Sequence, residues 1–265
     1  MRKIILLFLL LFISTASYAE TPEAKGLRIA READRRDSGF GDSSAQLTMI
    51  LMYQPAGKDS KPKTSIRKIR SKILEVRGDG DKSISIFNEP YDVKGTAMLT
   101  YSHKIGNDDQ WLYLPAIKRV KRISSANKSG AFMGSEFAFE DISSQEVEKY
   151  TYRFIKEEKC NSYDCYLIER VPAYKYSGYR RQLLWLDKKE YRAIKLEFYD
   201  RKNDLLKTQT FSKYKKHLNK YWRAHEMLMV NHQNNRSTKL IWGNFKFRNG
   251  YSNRHFSRNG LKNAR

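Results

Sequence analysis

The chain comprises 265 residues, with 51 Lys and Arg against 29 Asp and Glu and a formal net charge of +22. That length suits one large domain or two small ones, with room to bury a core or enclose a cavity. Beyond the N-terminal leader no run approaches the ~20 apolar residues of a membrane-spanning helix. The charge excess predicts anionic partners and says nothing about the fold.

Arg2 and Lys3 precede an apolar run from Ile4 to Ile13, and Ser17-Tyr18-Ala19 follows with small residues at the cleavage-determining positions. This is the pattern of a cleavable secretory signal, cut after Ala19. Residue 20 is Glu, not the Cys that lipid attachment requires, so a free periplasmic protein is expected. An exported protein rarely meets nucleic acid. The relevant anions are therefore phospholipid headgroups, lipopolysaccharide or an acidic partner. No Ser/Gly linker and no internal repeat interrupts the remainder, and residues 20–265 are expected to form a single domain.

"TPEAKGLRIAREADRRDSG" reads as one helix. Pro22 suits the first turn, Leu27, Ile29, Ala30 and Ala33 make an apolar face, and Ser38-Gly39 ends it. Nearly everything after it alternates as strands do, most clearly in "AIKLEFYD", where Ile194, Leu196 and Phe198 are predicted to share one face. Similar runs begin at Leu47, Ile69, Ile84, Met98, Trp111, Tyr150, Tyr166, Leu183, Leu205, Glu226 and Thr238, separated by polar turns. A meander of about a dozen antiparallel strands must curl or close to hide its edges. A barrel, or an incomplete barrel filled by a helix, is expected. Met49 to Met52 and Leu183 to Leu186 are apolar on both faces. Burial under a covering helix and the lining of an apolar cavity both account for them.

Cys160 and Cys165, in "KCNSYDCYL", lie between strand-like segments of an exported chain and are expected to form a disulfide across a hairpin turn. His103, His217, His225, His232 and His255 match no metal-binding spacing, and neither a nucleophile elbow, a P-loop nor a dinucleotide fingerprint occurs. "WLYLPAIKRVKRI" places Lys118, Arg119, Lys121 and Arg122 in one short span. That span reads either as a strand edge protected by its charge or as a docking surface for an anionic membrane or partner. "GSEFAFEDIS" contains Glu136, Glu140 and Asp141. Its spacing suits neither a glycosidase pair nor a calcium loop. It reads as a latch with Phe137 and Phe139 pointing inward, while the carboxylates stay outside, cap the next segment or pair with Lys118 to Arg122.

The order of "WLYLPAIKRVKRI", "GSEFAFEDIS", the Cys160/Cys165 pair leading into "YLIE", "WLDKKEYRAIKLEFYD", "LLKTQTF", "STKLIW" and "HFSRNGL" resembles the outer-membrane lipoprotein-sorting-like proteins, relatives of LolA. The resemblance spans most of residues 100 to 261. It implies a mainly β (α+β) fold, an incomplete antiparallel β-barrel of about 11 strands whose concave face is covered by helices. It also implies a periplasmic carrier of lipid or lipoprotein acyl chains, working with an inner-membrane transporter of the resistance-nodulation-division type. No catalytic residue, metal or cofactor is implied, and a monomer is expected. A carrier must shield acyl chains, about 0.8 kcal/mol per buried CH₂, and needs no reactive group. The expected cavity residues are Met49, Leu51, Ile84, Ile86, Leu112, Leu184 and Leu196.

Overall fold

The computed structural model describes residues 19–55 and 61–263; the expected cleavable signal, residues 1–19, lies outside the described residues apart from Ala19. Helix α1 spans Pro22–Asp37. Thr21 caps it, its hydroxyl accepting from the Ala24 amide at 3.2 Å, and the Ser38 amide closes the last turn onto Asp34. Thirteen strands follow: β1 Asp42–Tyr53, β2 Lys63–Leu74, β3 Lys82–Glu89, β4 Ala97–Tyr101, β5 Asp109–Leu114, β6 Arg119–Ile123, β7 Tyr150–Cys160, β8 Tyr163–Pro172, β9 Tyr179–Asp187, β10 Ala193–Asp200, β11 Leu205–His217, β12 Tyr221–Asn231 and β13 Arg236–Phe247.

All pair antiparallel in one sheet ordered β6-β5-β4-β3-β2-β1-β13-β12-β11-β10-β9-β8-β7. Two meanders are zipped together along β1 and β13, where Met49 faces Leu240. The edge strands β6 and β7 are consecutive in sequence yet unpaired, so the barrel stays open. Residues 124–149 join them as a strap broken by four short 3-10 turns.

The expected eleven strands are thus thirteen, and the expected covering helices are one α-helix among the described residues, aided by the strap. Strand β6 lacks an apolar rhythm because Arg119, Lys121 and Arg122 fill it. Its hydrogen bonds to β5 make it a strand all the same.

Two faces emerge. Leu47, Met49, Ile69, Phe87, Met98, Leu112, Leu196, Phe198, Met229 and Leu240 form one buried cluster with Phe132 and Phe137 of the strap. β5 and β10 stand far apart in the sheet order, so only a curled sheet brings Leu112 and Leu196 into this cluster. This is the concave face, and the strap fills its centre. α1 covers the same face at β7 to β9, with Ile29 and Ala30 on Tyr150, Tyr152, Ile168 and Leu186. Gly26 makes that approach feasible, since a Cβ there would lie 2.7 Å from the Phe154 amide nitrogen.

Two sequence expectations fail here. Ile84 and Ile86 point to the convex face, where they pack with Ala97 and Leu99 under Phe256 and Leu261 of the C-terminal turns. The inward residue of β3 is Phe87. The correction follows from parity: one register step in a strand exchanges faces, and both faces here are apolar. Ile194 likewise leaves the face of Leu196, because a bulge between Ala193 and Lys195 turns it outward onto Trp185 and Leu167. Cys160 and Cys165 form a disulfide across the β7–β8 hairpin, with Cα atoms 5.9 Å apart.

Candidate functional site

The sequence of the strap determines where open space remains. Phe132 and Phe137 are buried and Phe139 half-buried, with Phe132 meeting Phe87 and Phe139 at ring-centroid distances of 5.8 and 5.7 Å. Polar groups on strands all around the opening hold the strap. Arg67 donates to the Met133 carbonyl. Gln110 donates to Phe139 O and Ser143 Oγ at 2.9 Å each. Lys207 Nζ pairs with Asp141 Oδ2 at 2.7 Å with both side chains 5 % exposed, and Tyr179 donates to the same carboxylate at 2.9 and 3.0 Å.

The expectation that the carboxylates stay outside is corrected at Glu140, which is 6 % exposed. It accepts from Tyr174, Ser177 and the Gly178 amide at 2.9, 2.8 and 2.8 Å. Burial raises its pKa. Asp141 does cap, accepting from the Ala138 amide at 2.7 Å, but the turn it caps is Phe139–Ile142. None of the three carboxylates pairs with Lys118 to Arg122. Asp141 takes Lys207, Glu136 takes Asn231, and Arg122 pairs with Asp109.

With its centre plugged, the concavity retains a space at each mouth. One, of about 890 Å³, lies beside the strap and the 200–206 and 231–236 turns, with Glu136, Asp200, Arg201, Lys207 and Arg236 in its wall. The other, about 1150 Å³, lies beneath the C-terminal half of α1. Ala30 and Ala33 of α1 face Tyr152, Leu184 and Leu186 of the sheet to give it an apolar wall, and the 75–81 and 190–193 segments form its rim. Arg170 is at its inner surface, 7 % exposed. Glu146 and Asp81 also line it. Burial pushes the Asp81 carboxyl up to about 7, reinforced by Glu146 and Glu75, and burial raises Glu146 as well.

Of the expected cavity residues, Leu184 lines this space. Met49, Leu112 and Leu196 are buried in the concave core, and Leu51 packs against it. Lys118, Arg119, Lys121 and Arg122 are exposed on and beside the edge strand β6. His103 sits between Asp79 and Asp109, while His217 and His225 meet through Nε2 atoms 3.3 Å apart. Among the described residues no group of three or more His, Cys, Asp or Glu side chains is arranged to hold a metal. Sequence reasoning missed Phe132, Lys207, Gln110 and Arg170. Arg170 was within reach: it follows Ile168 by two in β8, which puts it on the inward face.

A family profile with the description "Uncharacterized protein" matches residues 79–263. The crystal structure of a domain from Vibrio parahaemolyticus, described as an outer membrane lipoprotein-sorting protein, is 55% identical. That match covers 90% of this chain and 98% of that one, with a TM-score of 0.86. The chain belongs to this outer membrane lipoprotein-sorting protein family. A DUF1329 family protein from Desulfovibrio piger is 31% identical over 91% of this chain and 99% of its own, with a TM-score of 0.81. A LolA superfamily protein from Nitrosomonas europaea shares the fold at 20% identity and a TM-score of 0.67, covering 88% of this chain and 98% of its own. No curated protein matches. The open 13-stranded sheet, with α1 over its concave face, is therefore this chain's version of the fold it shares with that LolA superfamily protein.

Proposed function

We propose that this LolA-like protein is a periplasmic carrier that shelters acyl chains of a lipid or lipoprotein in the cavity beneath α1. The observation that carries the reading is that cavity itself: about 1150 Å³ within a curled sheet, walled by Ala30, Ala33, Tyr152, Leu184 and Leu186. Its size exceeds that of typical small-molecule pockets, and its apolar wall suits hydrocarbon at about 0.8 kcal/mol per CH₂ removed from water. The N-terminal leader and the description of the Vibrio relative support the location and the sorting role. Carriage of this kind asks for no catalytic group. Met49, Leu51, Leu112 and Leu196 then serve as the wall behind the strap, and Leu184 is the expected residue that touches cargo.

The exposed Lys118, Arg119, Lys121 and Arg122 are the proposed docking face for an anionic membrane surface or an inner-membrane transporter of the resistance-nodulation-division type. One observation favours a second reading. The strap already fills the central concavity with Phe132 and Phe137, as suits a ligand-free accessory module that docks through its basic face.

Titration with a fluorescent fatty acid separates the two. The carrier reading expects saturable binding, weakened at least tenfold by Leu184→Trp, which fills the cavity, and left unchanged by Lys118→Glu. Absence of binding to the wild-type chain would leave the accessory module.

A further inference from the structure

Three cationic side chains are buried among the described residues: Lys149, Arg170 and Lys207. Lys149 is paired with Asp108, and Lys207 with Asp141. Arg170 forms no ion pair among the described residues. Its Nε donates to Gln182 Oε1 at 2.5 Å, its Nη2 to Gln145 Oε1 at 3.2 Å, and its guanidinium stacks 4.5 Å from the Tyr150 ring centroid. All three partners are neutral. A buried cation without a counter-ion is disfavoured unless the site serves to receive one.

The geometry keeps one part of the guanidinium free. Gln182 is 1 % exposed and fixes the Nε side. Gln145 is itself oriented, because its amide donates to the Glu140 and Ser143 carbonyls at 3.1 and 3.0 Å and its Oε1 also accepts from Tyr150 at 2.7 Å. Nη1 has no hydrogen-bond partner among the described residues. Among the described residues, the side-chain nitrogens and oxygens sealed away without a partner are the indole nitrogens of Trp111 and Trp242, so Nη1 of Arg170 opens onto the cavity it lines. A planar fork presented this way, its stem clamped, is arranged for the oxygens of a carboxylate or phosphate. The cavity's own Glu146 carboxylate turns elsewhere, accepting from Ser144 at 2.6 Å, and its Asp34, Asp37, Glu75 and Asp81 form no ion pair with Arg170.

We propose that Arg170 anchors the anionic group, carboxylate or phosphate, of the amphiphile carried in this cavity, with the acyl chain lying against Tyr152, Leu184 and Leu186. The proposal rests on the carrier reading and adds the chemistry of the cargo's head. It also accounts for a strap residue, Gln145, reaching the cavity to hold Arg170.

The test compares dodecanoate, dodecanol and inorganic phosphate by calorimetric titration of the mature chain. Wild-type protein is expected to bind dodecanoate about tenfold to a hundredfold more tightly than dodecanol, the worth of a charge-assisted pair. Arg170→Met should abolish that preference while leaving dodecanol binding intact, which also reports that the variant is folded. Arg170→Lys, which keeps the charge without the fork, should keep part of it. Equal binding of acid and alcohol by the wild type, unmoved by either substitution, would overturn the inference while carriage stands. Phosphate bound as tightly as dodecanoate would overturn it too, by assigning the site to a free anion. Failure of both amphiphiles to bind would remove the carrier reading itself.

Discussion

The Lys207–Asp141 pair tests whether the strap is clamped as its contacts imply. The charges meet at 2.7 Å, and each side chain is 5 % exposed. Neither ion stands alone. Lys207 also donates to the Glu136 carbonyl at 2.9 Å, and Asp141 accepts from the Tyr179 hydroxyl and from the Ala138 amide at 2.7 Å. Asp141→Asn leaves a buried ammonium facing neutral groups, which should cost about 3–5 kcal/mol. Lys207→Met leaves a carboxylate that keeps Tyr179 and the amide, and the expected cost is smaller, about 2–3 kcal/mol. The double variant removes both charges, so its cost should fall short of the sum by at least about 1 kcal/mol. Urea denaturation at neutral pH, followed by tyrosine and tryptophan fluorescence, measures all three. Additivity within about 0.5 kcal/mol would refute the reasoning, since it would mean that the two groups do not sense each other and that the strap is held by its phenylalanines alone.

Phe137→Ala, at a side chain 3 % exposed in the concave core, should cost about 3–5 kcal/mol in the same assay. The half-buried Phe139 should lose less, and Glu140→Gln, which keeps shape while weakening three hydrogen bonds, about 1–3 kcal/mol. Loss of function in a fully stable Glu140→Gln variant would return this stretch to a chemical role. Asp81 keeps its proton in the folded chain to about pH 7, against an ordinary value of 3.8. The stability this provides is complete below about pH 4 and is lost as the pH rises through 7. Asp81→Asn should therefore flatten the fall in melting temperature between about pH 5 and pH 8; an unchanged slope would show that Asp81 titrates in water.

The helix and most strands were legible because their signals are local. Thr21, Pro22 and Ser38 mark α1, and alternation marks a strand such as Ala193–Asp200. Which face looks inward was not legible, because both faces of this sheet are apolar, the convex one beneath Phe256 and Leu261. Single-residue events then decide it: Ile84 and Ile86 fall outward while Phe87 falls inward, and a bulge reverses Ile194 relative to Leu196. β6 shows no alternation, yet its run of Arg and Lys already suited a charged strand edge, which is one of the two readings it allowed and where the sheet places it. Phe137 and Phe139 stood out in the sequence as inward-pointing residues of a latch while Phe132 did not, and the strap's polar partners lie on β2, β5, β9, β11 and β12, far off in sequence. No local pattern announces that Glu140 will be buried by the 174–178 loop, or that Arg170 will lack the carboxylate that Lys149 and Lys207 each find.

The central claim is that the cavity beneath α1 holds an acyl chain. Its most direct test is mass spectrometry of an organic extract of the protein, purified without detergent from the envelope of cells that make it. The account predicts an acyl-bearing amphiphile in near-stoichiometric amount, greatly reduced in the extract of Leu184→Trp. An extract free of acyl compounds, from a folded wild-type chain that also fails to take up added dodecanoate, would contradict it.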